Sequence, residues 1–401
     1  MPLPLYLLAV AVFAMGTSEF MLAGLVPDIA TSLDVSVAAA GLLTSAFAIG
    51  MVVGAPLTAA WARRWPARAA LLGFVLAFAL VHAVGALTTS YGLLLATRVV
   101  AALANAGFLA VALSTATRMV PADRQGRALA VLLSGTTVAT VVGVPGGAVL
   151  GALLGWRATF WAVALLCVVA AIGVATMPGG AARTGGSSLR AEIAQLARPR
   201  LGLVMLLGAL VNAATFATFT FLAPIVTGTA GLDVLWVPVV LVLFGAGSSV
   251  GVALAGRFAD RRPSLVLGLG GPALLVGWVA TALLAATPAA LLPLAFVQGA
   301  LSFAVGATLI ARVLQESAAA PTMGGSYATA ALNIGAAGGP AIAGVALGAG
   351  NVGPVWLSAG LVALALLVAV PFRRAVAQAS DGSAPAPATP GRAPRWTSSS
   401  G

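Results

Sequence analysis

Twelve apolar stretches, each close to bilayer-crossing length, are separated along this chain by short turns that hold nearly all of its charge. A helix needs ~20 apolar residues to cross the hydrocarbon core of a membrane. The runs fall at about 5–27, 37–61, 69–87, 92–116, 126–153, 158–176, 201–226, 236–256, 264–286, 289–311, 325–349 and 354–372. Only 7% of the 401 residues are charged, against about 25% in a soluble domain. The expected fold is therefore an all-α membrane protein with twelve transmembrane helices. The fifth and sixth runs are divided by no more than Gly155, Trp156 and Arg157.

The charges then orient the runs. With a cytoplasmic N-terminus, the inner turns hold Arg63, Arg64 and Arg68; Arg118, Arg124 and Arg127; Arg183, Arg190, Arg198 and Arg200; and Arg257, Arg261 and Arg262. Arg312 and the C-terminal arginines add to that side, while the outer turns hold Asp28, Asp34, Asp233 and Arg157. By the positive-inside rule both termini are expected to be cytoplasmic. The net charge of +11 comes entirely from arginine. Its placement follows topology, so no nucleic-acid partner is implied. The first run lacks a basic leader and continues apolar for over 20 residues, so it is expected to be retained. Trp61, Trp65, Trp156, Trp161, Trp236 and Trp356 fall at run ends, as an aromatic belt would. The single cysteine, Cys167, excludes an internal disulfide.

A polar insert divides the runs six and six. The expected organisation is a first half at 1–176, a cytoplasmic linker at 177–200, a second half at 201–373 and a disordered tail at 374–401. Within the linker, Leu189, Ile193 and Leu196 stand at helical spacing, which suggests a short amphipathic helix over Ser187–Ala197. Basic turns recur after the second and eighth runs, "WARRWPAR" and "GRFADRRP". Such repeated halves are typical of secondary transporters.

Two charged side chains, Glu19 and Arg98, stand inside apolar runs. An ionisable group at the bilayer centre costs about 2.5–3.5 kcal/mol on insertion scales and marks ion or proton routes. Glu19 lies roughly 12 Å of helix before Pro27, and Arg98 a comparable distance in from Tyr91, both measured from outer ends. A shared network at one depth is expected. Arginine stays charged, so Glu19 is the expected proton carrier and Arg98 its electrostatic tuner; bonding of Arg98 to helix carbonyls is the structural alternative. His82 is expected to be hydrogen-bonded rather than a relay.

Several motifs resemble the major facilitator superfamily, over about residues 1–373. "GRFADRR", with Gly256, Asp260 and Arg261, matches its loop signature, and Arg98 in "LLLATRVVAAL" matches its fourth-helix arginine. "GTSEFMLAGLVPDIA" and "VVGVPGGAVLG" resemble the first and fifth helices of the twelve-helix drug:proton antiporters. "ALANAGFLAVALSTAT", "LLSGTTVATVVGVP" and "APTMGGSYATAALNIGAA" are similar to the chloramphenicol-efflux proteins of actinomycetes. The resemblance implies a multi-pass protein of a bacterial plasma membrane that acts by alternating access. It also implies that Gly143, Pro145, Gly147 and Gly151 shape the contact between helices 5 and 8, although packing alone would use the same small residues. The first loop departs from the signature, with Arg63 at its acid and Ala59 and Pro66 at its glycines.

Polar and aromatic residues on helical faces are the cargo candidates: Asn105 and Phe108; Asn212, Phe216 and Phe219; Gln298 and Ser302; Ser326, Tyr327, Thr329 and Asn333. With no second acid in the runs, they suit a small neutral amphipathic drug. Proton-coupled efflux of chloramphenicol is the expected function. Export of a sugar or nucleoside-like metabolite is the alternative. The proton gradient is the energy source, no cofactor or metal is needed, and a monomer is expected. One charge crossing ~100 mV gains about 2.3 kcal/mol, enough for roughly a fifty-fold gradient of neutral drug. An intramembrane enzyme would need a metal cluster or an activated nucleophile, and the runs hold too few such groups.

Overall fold

The computed structural model describes residues 2–62, 65–121, 124–177, 197–258, 263–317 and 324–372. Most of the expected linker with its amphipathic stretch, the loop residues Arg63, Asp260 and Arg261, and the tail at 374–401 lie outside them.

Twelve long helices make up the described fold. α1 (Leu3–Phe20) passes into a 3-10 turn (Met21–Gly24) and a short helix (Val26–Ser32). α2 (Val37–Ala62), α3 (Ala67–Leu87) and α4 (Tyr91–Arg118) follow. α5 runs as Gln125–Val138, a π turn (Ala139–Gly143) and Val144–Leu154, and α6 is Trp156–Ala175. α7 (Pro199–Thr220) continues through Leu222–Pro224 into a second π turn, Ile225–Thr229. α8 (Trp236–Phe258), α9 (Pro263–Leu284), α10 (Pro288–Glu316), α11 (Gly324–Ala346) and α12 (Gly353–Ala369) complete the bundle. Eleven of these are long and apolar enough to span a membrane, and α12 is shorter at 17 residues. Leu80, Leu154, Leu165, Ile172, Leu269, Val276 and Leu367 lie exposed on the flanks, as lipid-facing positions should.

The sequence explains where helices break. Gly155 adopts φ +83°, a left-handed conformation open to glycine, and this alone separates α5 from α6. Pro145 has no N–H and its ring crowds the carbonyl four residues back; the turn just before it widens to π geometry. α10 runs on to Glu316, past the end expected near residue 311. Arg312 is therefore inside the helix and buried rather than on a loop, with Nη1 donating to Gln315 Oε1 at 3.3 Å.

Two apolar cores form, one mainly among α1–α6 and the other mainly among α7–α12. Helix pairings recur six helices later: α2 on α4 as α8 on α10, α1 on α5 as α7 on α11, and α3 on α4 as α9 on α10. Glycines set the closest approaches and recur likewise. A Cβ on Gly50 would stand 2.7 Å from the Val99 carbonyl oxygen, and on Gly247 or Gly251 it would strike the carbonyls of Phe296 or Ala300. Gly135 abuts the Ala9 carbonyl and Gly335 the Ala209 carbonyl. Without a hydrophobic drive between helices in lipid, such close backbone packing is a main source of association.

The two cores meet along α2–α11 and α5–α8. Ala48, Phe216 and Ala336 pack together at mid-depth. At the end that carries Asp28, a Cβ on Gly344 would stand 3.2 Å from Ala38, and Gly41 lies against the Phe221 ring. That end is closed. Among the described residues, α4 and α10 share at most a marginal contact.

Candidate functional site

The interior charge sits where α1 loses α-helical regularity. Arg98, buried on α4, donates from Nη1 to Ser18 Oγ and from Nη2 to the Ser18 carbonyl oxygen, both at 2.8 Å. Its guanidinium also lies 4.5 Å from the centre of the Phe47 ring on α2, a cation–π placement. Ser18 Oγ is in turn 2.6 Å from His82 Nε2, and His82 Nδ1 is 2.8 Å from the Phe78 carbonyl oxygen. A carbonyl only accepts, so Nδ1 carries the proton. Nε2 then accepts from the Ser18 hydroxyl, whose oxygen accepts from Arg98. The imidazole stacks on Phe78 at 4.3 Å and leans on Phe160 at 5.6 Å. His82 is thus fixed by bonding, as the sequence suggested.

Glu19 adjoins this chain without capping it. The arginine's hydrogen bonds go to Ser18, while Glu19 lies within its field and beside the Asn105 side chain on α4. Glu19 is only partly buried, whereas Ser18, Arg98 and Asn105 are fully so. Asn105 Nδ2 is 3.6 Å from Met51 Sδ, and its Oδ1 has no partner among the described residues.

One residue further on, Phe20 begins an aromatic cluster that crosses between the cores. It lies 5.8 Å from Phe216 and 6.4 Å from Phe219. Phe219 lies 5.0 Å from Phe244, which lies 6.3 Å from Phe303. With Thr140, Thr215, Leu241, Gly245 and Ser248 these rings line one narrow pocket. Phe216 and Phe219 were legible as cargo candidates; Phe20, Phe244 and Phe303 were not.

The other candidates divide. Gln298 lines a second chamber next to the aromatic pocket, and Ser302 is buried one turn beyond it. Asn212 donates to the Leu332 carbonyl at 2.6 Å, tying α7 to α11, and Asn333 donates to the Thr329 carbonyl at 2.9 Å. Ser326 and Thr329 are partly buried. Tyr327 belongs to the second core, and Phe108 is sealed within the first, away from the aromatic pocket. On α5, Gly143 abuts Thr17, Gly151 abuts Leu25, and Thr159 Oγ1 donates to the Gly147 carbonyl at 2.8 Å. Those glycines, with buried Pro145, face α1 and α6. The approach to α8 is made both by Thr140 and Val141 against Gly245 and by the Val144–Leu154 stretch. Gly256 meets nothing within 4 Å of where a Cβ would stand.

A family model described as Major Facilitator Superfamily matches residues 8–327. A chloramphenicol resistance protein of Streptomyces lividans is 70% identical over 390 residues, covering 96% of this chain and 100% of that protein. The inner membrane transport protein YdhP of Escherichia coli is 34% identical over 348 residues, covering 86% of this chain and 89% of its own length. Among solved structures, a bacterial homologue of the human lysosomal transporter Spinster, inward-facing and occupied, matches with TM-score 0.74 at 20% identity, over 93% of this chain and 96% of that one. The nucleoside transporter NupG matches with TM-score 0.74 at 14% identity, over 94% and 100%.

Proposed function

The chain belongs to the major facilitator superfamily, a multi-pass membrane transporter and not an enzyme, and from that premise we propose that it exports chloramphenicol in exchange for protons. The observation that carries the cargo is the 70% identity, over the full length, to a chloramphenicol resistance protein. Chloramphenicol is small, neutral and amphipathic, and the pocket lined by Phe20, Phe216, Phe219, Phe244 and Phe303 offers aromatic faces without an ionised side chain.

In this reading both termini are cytoplasmic, the protein works as a monomer in the plasma membrane, and residues 1–176 and 201–373 are the two halves that rock about the pocket. The closed Asp28 end is then the outer end, and the cargo path opens toward the cytoplasm. Glu19 loads a proton from outside as cargo leaves and releases it inside. Arg98, held on Ser18, keeps a fixed positive field beside that carboxyl. Because Glu19 and Phe20 are consecutive, a change at the carboxyl is transmitted directly to the aromatic wall.

The test is chloramphenicol accumulation in cells that express the protein, with and without a protonophore. Expression should lower accumulation, and the protonophore should restore it. Equal accumulation in expressing and non-expressing cells would refute the assignment.

A further inference from the structure

We infer that the groove between α2 and α3 seats an anionic phospholipid, with one acyl chain along the groove and the phosphate at Arg68. Among the described residues, α2 and α3 each pack along α4 but share at most a marginal contact with one another. The gap they leave holds about 590 Å³, within the ~300–1,000 Å³ typical of ligand clefts. Leu57 of α2, Ala69, Gly73 and Ala77 of α3, and Val100 and Leu103 of α4 line it. Leu57 and Val100 are 58% and 43% exposed, so the groove opens on the lipid-facing flank. It shares no lining residue with the aromatic pocket. Thr58 Oγ1, on its wall, already donates to the Gly54 carbonyl at 2.6 Å and asks nothing of an occupant.

The matching place in the second half is filled. Gly73 and Gly270 each follow a loop proline, Pro66 or Pro263, by seven residues. A Cβ on Gly270 would stand 3.0 Å from Val305 Cγ2 on α10, whereas one on Gly73 meets nothing within 4 Å. The opening is therefore particular to the first half and not a consequence of the repeated helix packing.

Depth and charge identify the occupant. Along α3 the groove runs from Ala69 to Ala77, roughly 12 Å of helix, and on α4 it reaches Val100, about 14 Å in from Tyr91. One leaflet contributes ~15 Å to the hydrocarbon core, so the groove has the reach of a single acyl chain. Filling it supplies contacts that an empty groove would lose. Lipid tails are as apolar as these walls, so burial alone favours no lipid over another. Preference comes from the mouth. Trp65 is 43% exposed there, and Arg68, next to the lining Ala69, is exposed in the first turn of α3. From Ala59 to Val75 the sequence holds Arg63, Arg64 and Arg68 and no acid. With Arg63 where the loop signature has its acid, the turn is purely cationic, the complement of an anionic headgroup.

The inference does not depend on the cargo. Its test places the full chain in nanodiscs that contain a trace of phosphatidylglycerol or phosphatidylcholine carrying a diazirine midway along one acyl chain. Labelled peptides are mapped after irradiation. Phosphatidylglycerol should label the 69–77 and 100–104 stretches about fivefold more than phosphatidylcholine, the ratio that ~1 kcal/mol for one basic residue at an anionic surface gives. Arg68→Gln should lower that preference by about the same factor. Gly73→Leu, whose side chain enters open space, should remove groove labelling by both lipids and leave unchanged the labelling of exposed Leu165 and Ile172 on α6. Its thermal midpoint should match or exceed the parent's, because leucine is a better helix former than glycine. Equal groove labelling by the two lipids in the parent, or labelling that survives in folded Gly73→Leu, overturns the seat. Labelling that chloramphenicol competes away would make the groove a cargo site and overturn it as well. Should Gly73→Leu fail to fold, an undiminished phosphatidylglycerol preference in Arg68→Gln refutes the inference by itself.

Discussion

Replacing Ser18 by alanine tests the interior network at its node. One hydroxyl accepts from the Arg98 guanidinium at 2.8 Å and donates to His82 Nε2 at 2.6 Å. Interhelical hydrogen bonds in membrane proteins average only ~0.6 kcal/mol, with a maximum near 1.7. The neutral Ser18–His82 bond should therefore contribute at the lower end of that range. The larger effect comes from what is stranded. Arg98 Nη1 and His82 Nε2 would both be left buried without partners, at about 1–3 kcal/mol for a neutral group and more for a charged one. The Nη2 bond to the Ser18 carbonyl and the Phe47 contact survive, which limits the loss. The expected destabilisation is about 2–4 kcal/mol, read from reversible denaturant unfolding in mixed micelles. Pairing it with His82→Phe makes a cycle, because phenylalanine keeps the stack on Phe78 and Phe160 and deletes the hydrogen bond. The coupling should be about 0.5–1.5 kcal/mol. A Ser18→Ala protein within ~0.5 kcal/mol of the parent, with an additive cycle, would show that Arg98 is held by its backbone bond and Phe47 alone.

Glu19→Gln should abolish pH-driven uptake of drug into inverted vesicles while the protein still inserts, and Glu19→Asp should keep part of the activity with a displaced pH optimum; gradient-driven uptake by Glu19→Gln at the parent's rate would move coupling to another acid, with Asp28 and Asp34 next. Arg98→Lys keeps charge, but one ammonium cannot reproduce a planar fork that binds both oxygens of Ser18 and stacks on Phe47, so export should fall about tenfold or more at matched protein levels; full resistance in drug-challenged cells would contradict this. Gly143→Val would drive a side chain into Thr17 and should destabilise by about 1–3 kcal/mol through overpacking, whereas Gly146→Ala, which meets nothing within 4 Å, should leave the unfolding midpoint unchanged.

Helix number and position were legible because bilayer thickness sets the length of an apolar run and arginine sets its ends. The common depth of Glu19 and Arg98 was legible for the same reason, since depth is a count along a run. Rotation about a helix axis was not. Ser18 and His82 bond to each other because α1 and α3 present those faces to α4, and hydropathy carries no phase when every face is apolar. The same limit explains why Phe216 and Phe108 looked alike, although one borders the aromatic pocket and the other is sealed in the first core. Thr17 and Ser18, two polar residues beside an acid within an apolar run, were the available signal for the network. Arg312 was assigned to a loop because hydropathy falls near residue 311, while the backbone remains helical to Glu316.

The 3-10 turn Met21–Gly24 lies directly after Glu19 and Phe20 and spans four residues. A 3-10 turn advances about 2.0 Å and 120° per residue, and an α-helix about 1.5 Å and 100°. Rewinding those four residues into α geometry would therefore screw the rest of α1 by about 80° and draw it about 2 Å along its axis. The carboxyl and the first ring of the aromatic wall would be carried through the same arc. A single coordinate, the winding of one short segment, would then govern both the exposure of the acid and the shape of the pocket, so neither could be reset without the other.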